Sequence, residues 1–521
     1  MKKSIISLVV IAFCCSALLF SCKKEKVRSA DEIESEHSFN SNLVAAFFEK
    51  HPKLKEYQPQ VEKLYTKHSH HYLWYDDKGI NEVGDLLYSK IRNLEEEGVT
   101  AEVPYKAQLD TVIENAESTS KPNADTELLI SSLYFFYADK VFHGLDAKQS
   151  EELGWYLPRK KASYVDYLDS LLVRPSLINK DEKEVIGQYY RLREVLQQYR
   201  AIEKKGGWKA IAMDAKAKPF KRGDNDPLIA EIRTRLVAGG DLRSDSKSTE
   251  YDSDLEAGIL NYKKRIGALP DATITPKLVA SLSVPVSDRI RTIMVNMERC
   301  RWIPANLTKS TEYIVVNIPS YRLTYFKDGK TILLSDVVVG KDANKTVVFS
   351  GLMKYIVFSP YWNVPKSIVK KEIQPGIAKN KNYLEEHDME YDGDNIRQRP
   401  GPKNSLGLVK FLFPNSNNIY LHDSPAKSLF NEESRAFSHG CIRVEKAKEL
   451  ANLILKEDKA WTPQKIDAAM QKGEEKWVTL KNKIPVYIGY FTAWVDSEGV
   501  VHFYEDIYNR DGRLASMILD K

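Results

Sequence analysis

The sequence predicts a multidomain α+β protein, in which an all-α N-terminal scaffold precedes a β-rich C-terminal domain. Apolar residues recur at helical spacing up to about residue 222, whereas from Glu312 onward they alternate with a period of two. The length of 521 residues is also too great for one core and indicates roughly three domains.

The composition is that of a folded, soluble chain without a concentrated charge. Hydrophobic residues make up 43% and charged residues 29% of the sequence, as is usual for globular domains. The 77 basic and 72 acidic residues leave a net charge of +5 that is spread along the chain. A nucleic-acid partner would favour a basic stripe, so we expect no such partner.

The first 21 residues have the pattern of an export signal. Lys2 and Lys3 precede an apolar run from Ser4 to Phe20, after which charged residues begin abruptly. A short apolar core behind two lysines is typical of a signal peptide and not of a stable membrane span. We therefore expect residues 1–21 to be removed on export.

Cys22 is the expected site of lipid attachment. The small residue Ser21 directly before it resembles a lipoprotein cleavage site, where the cysteine is acylated and becomes the new N-terminus. Two or three acyl chains would anchor the protein stably, and the polar residues 22–41 would serve as a tether. An ordinary signal peptide with incidental cysteines is the alternative. The expected location is the periplasmic face of either the inner or the outer membrane.

A helical scaffold domain is predicted over residues 42–237. Its helices are indicated by apolar stripes at helical spacing, such as Val83, Leu87, Ile91 and Leu94, and Val185, Tyr189, Leu192 and Val195. Residues 238–253 are rich in Gly, Ser and Asp and predict a linker. A small helical module is expected over 254–298, with a second helix that begins at Thr275-Pro276.

Strands dominate residues 311–490, and residues 491–521 are expected to pack on this domain as a C-terminal extension. Tyr313–Ile318 and Leu323–Phe326 alternate as strands do, and Asp328-Gly329 is a strong hairpin signal before the next strand. We predict a β-sandwich-like architecture for this domain.

Five cysteines occur in the sequence, and only Cys300 and Cys441 lie in the folded part. An oxidising compartment could pair them. However, Cys300 has Ile293 and Met297 at helical spacing, which is typical of a core residue. Cys441 follows Ser438-His439-Gly440 in a turn of small and polar residues, where a free thiol outside the cytoplasm usually has a chemical role.

The densest cluster of reactive residues consists of Tyr420–Ser424 and Phe437–Val444. A thiol attacks only as thiolate, so a nucleophilic Cys441 needs an imidazole to take its proton. His439 is poorly placed to reach Sγ if its segment is extended, and we expect His422 to be the base. Gly440 allows a tight turn that directs backbone N–H groups at an oxyanion. Arg443 could hold a substrate carboxylate, although for Arg443 alone an incidental surface residue is the better interpretation.

Because of these residues, the sequence resembles the YkuD-type L,D-transpeptidase family, and within that family it resembles the large multidomain class. The resemblance rests on Ser438–Arg443 with the upstream Tyr420–His422, and it extends over about residues 299–506. Pro360–Pro365 and Arg399–Gly407 are similar to segments of that class, and Tyr72–Trp74 to its helical region. Residues 254–298 resemble a peptidoglycan-binding module, but they lack its usual Asp-Gly and Phe-Gln pairs.

The resemblance implies acyl transfer in the bacterial cell wall. Cys441 would attack the bond before D-alanine in a tetrapeptide stem and release D-alanine. The thioester would pass to the side-chain amine of a neighbouring stem, which gives a 3→3 cross-link. The implied partners are the donor and acceptor stem peptides, the membrane through the N-terminal lipid, and other cell-wall enzymes. No cofactor and no metal are implied, and His68-Ser69-His70-His71 is expected to be a surface turn.

The resemblance also implies roles for individual residues. His422 would act as base and then as acid, and backbone amides near Gly440 and Cys441 would form the oxyanion hole with support from Ser438 and His439. Substrate contacts are expected from Arg443, Trp362, Tyr420 and Asn404, under a cap formed by about residues 366–398.

Two alternatives stay open at the level of sequence. The first is hydrolysis of the thioester, which would make the protein an L,D-carboxypeptidase or a cross-link hydrolase. The same acyl-enzyme could also attach a protein to the wall. The second is a non-catalytic wall-binding lipoprotein, and the presence of both Cys441 and His422 argues against it.

Overall fold

The structure is a computed structural model that describes residues 37–116, 121–160, 163–305, 307 and 310–519. The predicted signal peptide and Cys22 lie outside these residues. The end of the predicted tether is packed, because Ser38 pairs with His71 and the Phe39 ring lies edge-on to Tyr65 with centroids 4.9 Å apart. Folded structure therefore begins before residue 42.

The N-terminal region is helical, as predicted. Its helices are α1 (Asn42–Lys50), α2 (Gln58–Lys67), α3 (Glu82–Arg92), α4 (Lys106–Ala116), α5 (Ala124–Ala138), α6 (Ala147–Glu152), α7 (Tyr164–Val173) and α8 (Gly187–Lys204). Between them lie the short strands β1 (Tyr75–Asp76), β2 (Gly79–Ile80) and β3 (Trp155–Tyr156). Both predicted apolar stripes are buried, with no member more than 4% exposed.

A second core is formed by α9 (Pro227–Ala238), α10 (Ser253–Ile266) and α11 (Pro276–Leu282). The predicted start of the second helix is confirmed, since the Thr275 side chain accepts from the Leu278 amide. The helices are grouped differently from the prediction, because α9 had been assigned to the scaffold. The predicted linker is also packed: Tyr251 is fully buried, and Asp241 pairs with Arg265 at 2.6 Å.

Helix α12 (Val286–Trp302) joins the N-terminal helices to the C-terminal domain. Its last turn carries a buried Arg301, which is 1% exposed. Arg301 Nε donates to Val141 O at 3.0 Å, Nη2 to Glu97 O at 2.7 Å, and Nη1 to Glu298 Oε2 at 2.8 Å. Cys300 is fully buried in the same helix, as its spacing predicted. These contacts place α12 in the main core and not in the small module.

The C-terminal domain is built on one long sheet. Its strands are β4 (Glu312–Asn317), β5 (Arg322–Lys327), β6 (Lys330–Gly340), β7 (Val348–Phe358), β8 (Trp362–Asn363), β9 (Met389–Asp392), β10 (Asn395–Gln398), β11 (Val409–Leu412), β12 (Leu421–His422), β13 (Ala436–Ser438), β14 (Ile442–Val444) and β15 (Lys476–Gly489). All but β8, β9 and β10 belong to that sheet. The predicted hairpin at Asp328-Gly329 joins β5 to β6, and both turn residues have positive φ angles, 51° and 73°.

The strand path closes on itself. Its order is β11-β12-β14-β6-β5-β4-β15-β7-β3, and β11 also pairs with β7. Eight strands therefore form a closed ring within the predicted β-rich domain. Strand β3 of the helical region extends the sheet beyond β7, so the helical and β-rich parts share hydrogen bonds as well as a core.

A cap stands beside this ring with a small core of its own. Strands β8, β10 and β9 form its sheet, and α13 (Lys366–Ile368), α14 (Gln374–Lys379) and α15 (Tyr383–Glu386) complete it. Val364, Ile368, Ile373, Met389 and Ile396 are buried together there. Helices α16 (Ala447–Ile454) and α17 (Pro463–Gln471) lie between β14 and β15 in the sequence.

The C-terminal extension contains β16 (Ala493–Val495), β17 (Val501–Phe503) and α18 (Asp511–Ile518). It packs on α12, where Asp511 Oδ1 lies 2.7 Å from Arg299 Nη1. Among the described residues, no helix is both long enough and apolar enough to cross a membrane.

Arg301→Met should lower the free energy of unfolding by about 3–5 kcal/mol, because it leaves Glu298 buried without its charged partner. Denaturation followed by circular dichroism would measure this change. Arg322→Met is the matched control, since the Arg322 side chain is 54% exposed in its pair with Asp336 and should cost about 1 kcal/mol or less. Equal small losses in both variants would contradict the role given to Arg301.

Candidate active site

Parallel pairing of β12 with β14 brings the two reactive segments together. Leu421 lies opposite Ile442 and His422 opposite Arg443, and the Ile442 amide donates to Tyr420 O at 3.1 Å. Leu421 and Ile442 are both fully buried on the core side. Because side chains alternate along a strand, the other face carries Tyr420, His422, Cys441 and Arg443.

Cys441 is partly exposed at this face. Burial raises the pKa of its thiol, while hydrogen bonding with Tyr420 and the positive charge of Arg443 act in the opposite direction. The thiol donates to Asn418 O at 3.6 Å. At neutral pH the resting group is therefore a thiol, and it needs a base before it can attack.

His422 has the properties of that base. Its Nδ1 lies 2.6 Å from Asp423 O, and because a carbonyl oxygen only accepts, Nδ1 carries the proton and Nε2 has the free lone pair. Burial, with a further contribution from Arg443, lowers the pKa of His422 to about 4. The ring is thus neutral at pH 7. The hydrogen-bond partners of the thiol in this structure are the Asn418 carbonyl and Tyr420.

His439 faces the cap. Its Nε2 lies 2.8 Å from Glu372 Oε1, and Glu372 lies in a π-helical turn of the cap, Val369–Ile373. This hydrogen bond joins the nucleophile's loop to the cap, and the sequence did not predict it.

Tyr420 and Trp362 form a second contact between the site and the cap. Burial raises the pKa of the Tyr420 hydroxyl, Cys441 raises it further, and hydrogen bonding with Trp362 lowers it. Trp362 lies on β8 opposite Gln398. The phenol of Tyr420 is therefore positioned between the nucleophile and the cap.

Gly440 turns the backbone immediately before the nucleophile. Its φ of +117° lies in a region that favours glycine. Its amide donates to Ser438 Oγ at 3.1 Å, and the Ser438 hydroxyl donates to Cys441 O at 2.6 Å. The prediction that the Gly440 amide serves the oxyanion hole is corrected here, because that N–H is already bonded. Within the described chain the Cys441 amide donates to no acceptor, so it is available to the cleft.

Asn404, to which the resemblance assigns a substrate contact, is held within its loop by hydrogen bonds to backbone groups. It is 1% exposed, and its Nδ2 donates to Pro360 O at 3.1 Å and Arg399 O at 2.9 Å. Its Oδ1 accepts from the Leu406 amide at 2.8 Å. Both ends of the amide are thus used to shape the loop that precedes the strands of the site.

Arg443 retains unused donor capacity. Burial lowers its pKa, and Cys441 acts in the opposite direction. Its buried Nε has no hydrogen-bond partner among the described residues. A buried, unpaired guanidinium N–H beside the nucleophile is suited to an acidic ligand group.

Asp423 is a further positioning residue that the sequence did not single out. Its Oδ2 accepts from the Leu408 amide at 3.0 Å, and its Oδ1 lies 2.7 Å from Lys427 Nζ. A Cβ on Gly407, which has a φ of +62°, would lie 2.4 Å from Asp423 Oδ2. The glycine in the resembling segment Arg399–Gly407 therefore makes room for the residue that holds His422.

Two family models match parts of this chain. Residues 311–471 match the family model described as the L,D-transpeptidase catalytic domain (YkuD), and residues 59–196 match the model described as a scaffold domain. These matches confirm the resemblance and the α+β class predicted from the sequence.

One curated relative is a Haemophilus influenzae protein provisionally named an L,D-transpeptidase, which is 32% identical over 274 residues. The alignment covers 49% of this chain and 53% of the relative, so the chain spans about half the length of the relative it matches.

Similar solved structures include an L,D-transpeptidase from Mycobacterium smegmatis, at 12% identity and a TM-score of 0.20. Another is L,D-transpeptidase 3 from Mycobacterium tuberculosis with a faropenem-derived adduct, at 16% identity and a TM-score of 0.20. Each covers 34% of this chain, and 58% and 60% of the respective neighbour. At these scores the two structures carry no argument about the site.

The depressed pKa of His422 predicts a pH dependence of stability. Between about pH 4 and 6.5 the unfolded chain binds a proton that the folded chain does not, so the free energy of unfolding should fall as pH falls through this window. The shift corresponds to about 3 kcal/mol. His422→Asn should remove that part of the slope in urea unfolding at stepped pH. Identical slopes in His422→Asn and the unmodified protein would contradict the buried, neutral ring.

Proposed function

We propose that the protein is a peptidoglycan L,D-transpeptidase with Cys441 as nucleophile and His422 as general base. The observation that carries the proposal is the shared face of β12 and β14, where a thiol, a neutral imidazole and an unpaired guanidinium N–H converge. The match of residues 311–471 to the catalytic-domain model supports it.

The first half-reaction would form a thioester. His422 Nε2 takes the Sγ proton, and Sγ attacks the carbonyl carbon before D-alanine. The developing oxyanion accepts from the free Cys441 amide. The intermediate collapses as His422 returns the proton to the leaving amine, the C–N bond breaks, and D-alanine departs.

The second half-reaction would transfer the acyl group. The side-chain amine of an acceptor stem attacks the thioester carbonyl, and His422 removes a proton from that nitrogen. Collapse of the intermediate breaks the C–S bond and restores the Cys441 thiol with the proton from His422. The new amide is the 3→3 cross-link. Water in place of the amine would give the carboxypeptidase or hydrolase instead.

Substrate would be held between the face of the site and the cap. Arg443 is suited to an acidic group of the stem because its Nε is buried and unpaired. Trp362 would line the opposite wall on the cap, and its hydrogen bond with Tyr420 would join that wall to the face of the nucleophile.

The N-terminal pattern supports export and membrane attachment. We infer that Cys22 is acylated after removal of residues 1–21, which would place the catalytic domain at the periplasmic face of a membrane, near its polymeric substrate and other cell-wall enzymes. Two or three acyl chains would make the attachment stable.

The chemical proposal predicts that Cys441→Ala abolishes product formation with the fold retained. The full chain, purified in detergent, would be incubated with a disaccharide-tetrapeptide and its products analysed by mass spectrometry. His422→Asn should lose at least about a hundredfold in rate, as expected for a missing general base. Cys300→Ala is the matched control, because that thiol is fully buried in α12, and it should retain activity.

The same assay separates the alternatives. A dimer that has lost D-alanine identifies the transferase, and loss of D-alanine without dimer identifies the hydrolase. No product from the unmodified protein, or full activity in Cys441→Ala, would overturn the catalytic assignment.

The membrane proposal predicts that Cys22→Ser prevents lipid attachment. Cells expressing the unmodified chain should incorporate labelled palmitate into it and retain it in the membrane fraction. The variant should carry no label. Equal labelling of both proteins would rule out Cys22 as the acylated residue.

A further inference from the structure

A buried threonine outside the reactive segments contacts the backbone beside the nucleophile. Thr346 is fully buried, and its hydroxyl donates to Gly440 O at 2.9 Å. The same oxygen accepts from the Gly340 amide at 2.9 Å. The Thr346 hydroxyl therefore donates one hydrogen bond and accepts another, and these two bonds fix the direction of the hydroxyl proton.

The C-terminal extension holds this threonine from the other side. Tyr508 is 2% exposed, and its hydroxyl accepts from the Thr346 amide at 3.1 Å and donates to Gly340 O at 2.5 Å. The Tyr508 amide in turn donates to the Tyr490 hydroxyl at 2.9 Å. A continuous chain of hydrogen bonds thus runs from residues 490 and 508 to the carbonyl of Gly440.

The backbone segments joined by these hydrogen bonds lie so close together that they have little room to move. A Cβ on Gly340 would lie 2.1 Å from Asn344 O and 3.1 Å from the Cα of Gly440. The end of β6 is also bonded to β13, where the Lys341 amide donates to Ser438 O at 3.0 Å. The segment before the nucleophile is therefore pressed against β6.

The Gly440 carbonyl and the Cys441 amide belong to one peptide group. In a planar trans peptide these two groups point in opposite directions. A hydrogen bond that holds Gly440 O toward Thr346 therefore holds the Cys441 N–H away from it. That N–H is the donor left free for the cleft, because Gly440's own amide is bonded to Ser438.

We propose that Thr346, braced by Tyr508, is a positioning residue that orients the Cys441 amide as the oxyanion donor. It acts through the Gly440–Cys441 peptide and touches neither thiol nor substrate. The proposal rests on the proposed acyl transfer, and it gives Tyr508 of the C-terminal extension a part in positioning the oxyanion donor.

Thr346→Val tests this inference, since it replaces the hydroxyl by a methyl group of similar size. In the full chain the rate of acyl-enzyme formation should fall about ten- to a hundredfold, somewhat less than loss of a whole oxyanion donor, with KM little changed. Thr346→Ser should restore most of the rate, and Tyr508→Phe should show a smaller loss. Alkylation of Cys441 by iodoacetamide should be unaffected, because that reaction forms no oxyanion.

Thr492→Val is the matched control. Thr492 is 1% exposed and its hydroxyl donates to Asp511, so the variant loses an equally buried hydroxyl that has no bond to Gly440. Acylation in this control should be retained. An unchanged acylation rate in Thr346→Val, or a parallel loss of alkylation and acylation, would overturn the proposal.

If neither protein processes a stem peptide, crystal structures of the unmodified protein and of Thr346→Val still test the positioning role, because they show the orientation of the Gly440–Cys441 peptide. The absence of any acyl-enzyme in the unmodified protein would count against the proposed function. A rotated Gly440–Cys441 peptide in the variant would still support the positioning role, and an unmoved peptide would contradict it.

Discussion

The parallel pairing of β12 with β14 is the constraint on which the site depends. A one-residue shift in register would direct Cys441 and His422 to opposite faces, and the full burial of Leu421 and Ile442 makes such a shift costly. Burial of the Cys441 and His422 side chains themselves raises the pKa of the thiol and lowers the pKa of the imidazole. At pH 7 the thiol is therefore protonated and the imidazole neutral, a combination in which one group can pass a proton to the other.

Residues from distant parts of the chain stabilise that face. The cap contacts it through Glu372 and Trp362, and the C-terminal extension reaches it from Tyr508 through Thr346. Helix α12 connects the extension to the helical scaffold by buried charges. The hydrogen bond between His439 and Glu372 thereby joins the cap to the nucleophile's loop.

Much of the fold could be predicted from local sequence patterns. The features that could not be predicted depend on contacts between residues far apart in the sequence. The hairpin at Asp328-Gly329, the buried stripes of the helical region and the core position of Cys300 follow from turn chemistry and periodicity. The closing pair of β11 with β7 joins strands about 50 residues apart and has no local signal. The hydrogen bonds of Asn404 are also partly non-local, since its amide donates to Pro360 O, 44 positions earlier in the chain. Thr346 was missed because its one distinctive contact, with Gly440, spans 94 positions.

The most direct test of the account is to follow the covalent state of Cys441 over time by rapid quench and intact-protein mass spectrometry. A tetrapeptide donor alone should build up an enzyme adduct that lacks D-alanine. Addition of an acceptor stem with a free side-chain amine should discharge the adduct at the rate at which dimer appears. An adduct that decays equally fast without acceptor would point to hydrolysis, and the appearance of dimer without any adduct would contradict Cys441 as the acyl carrier.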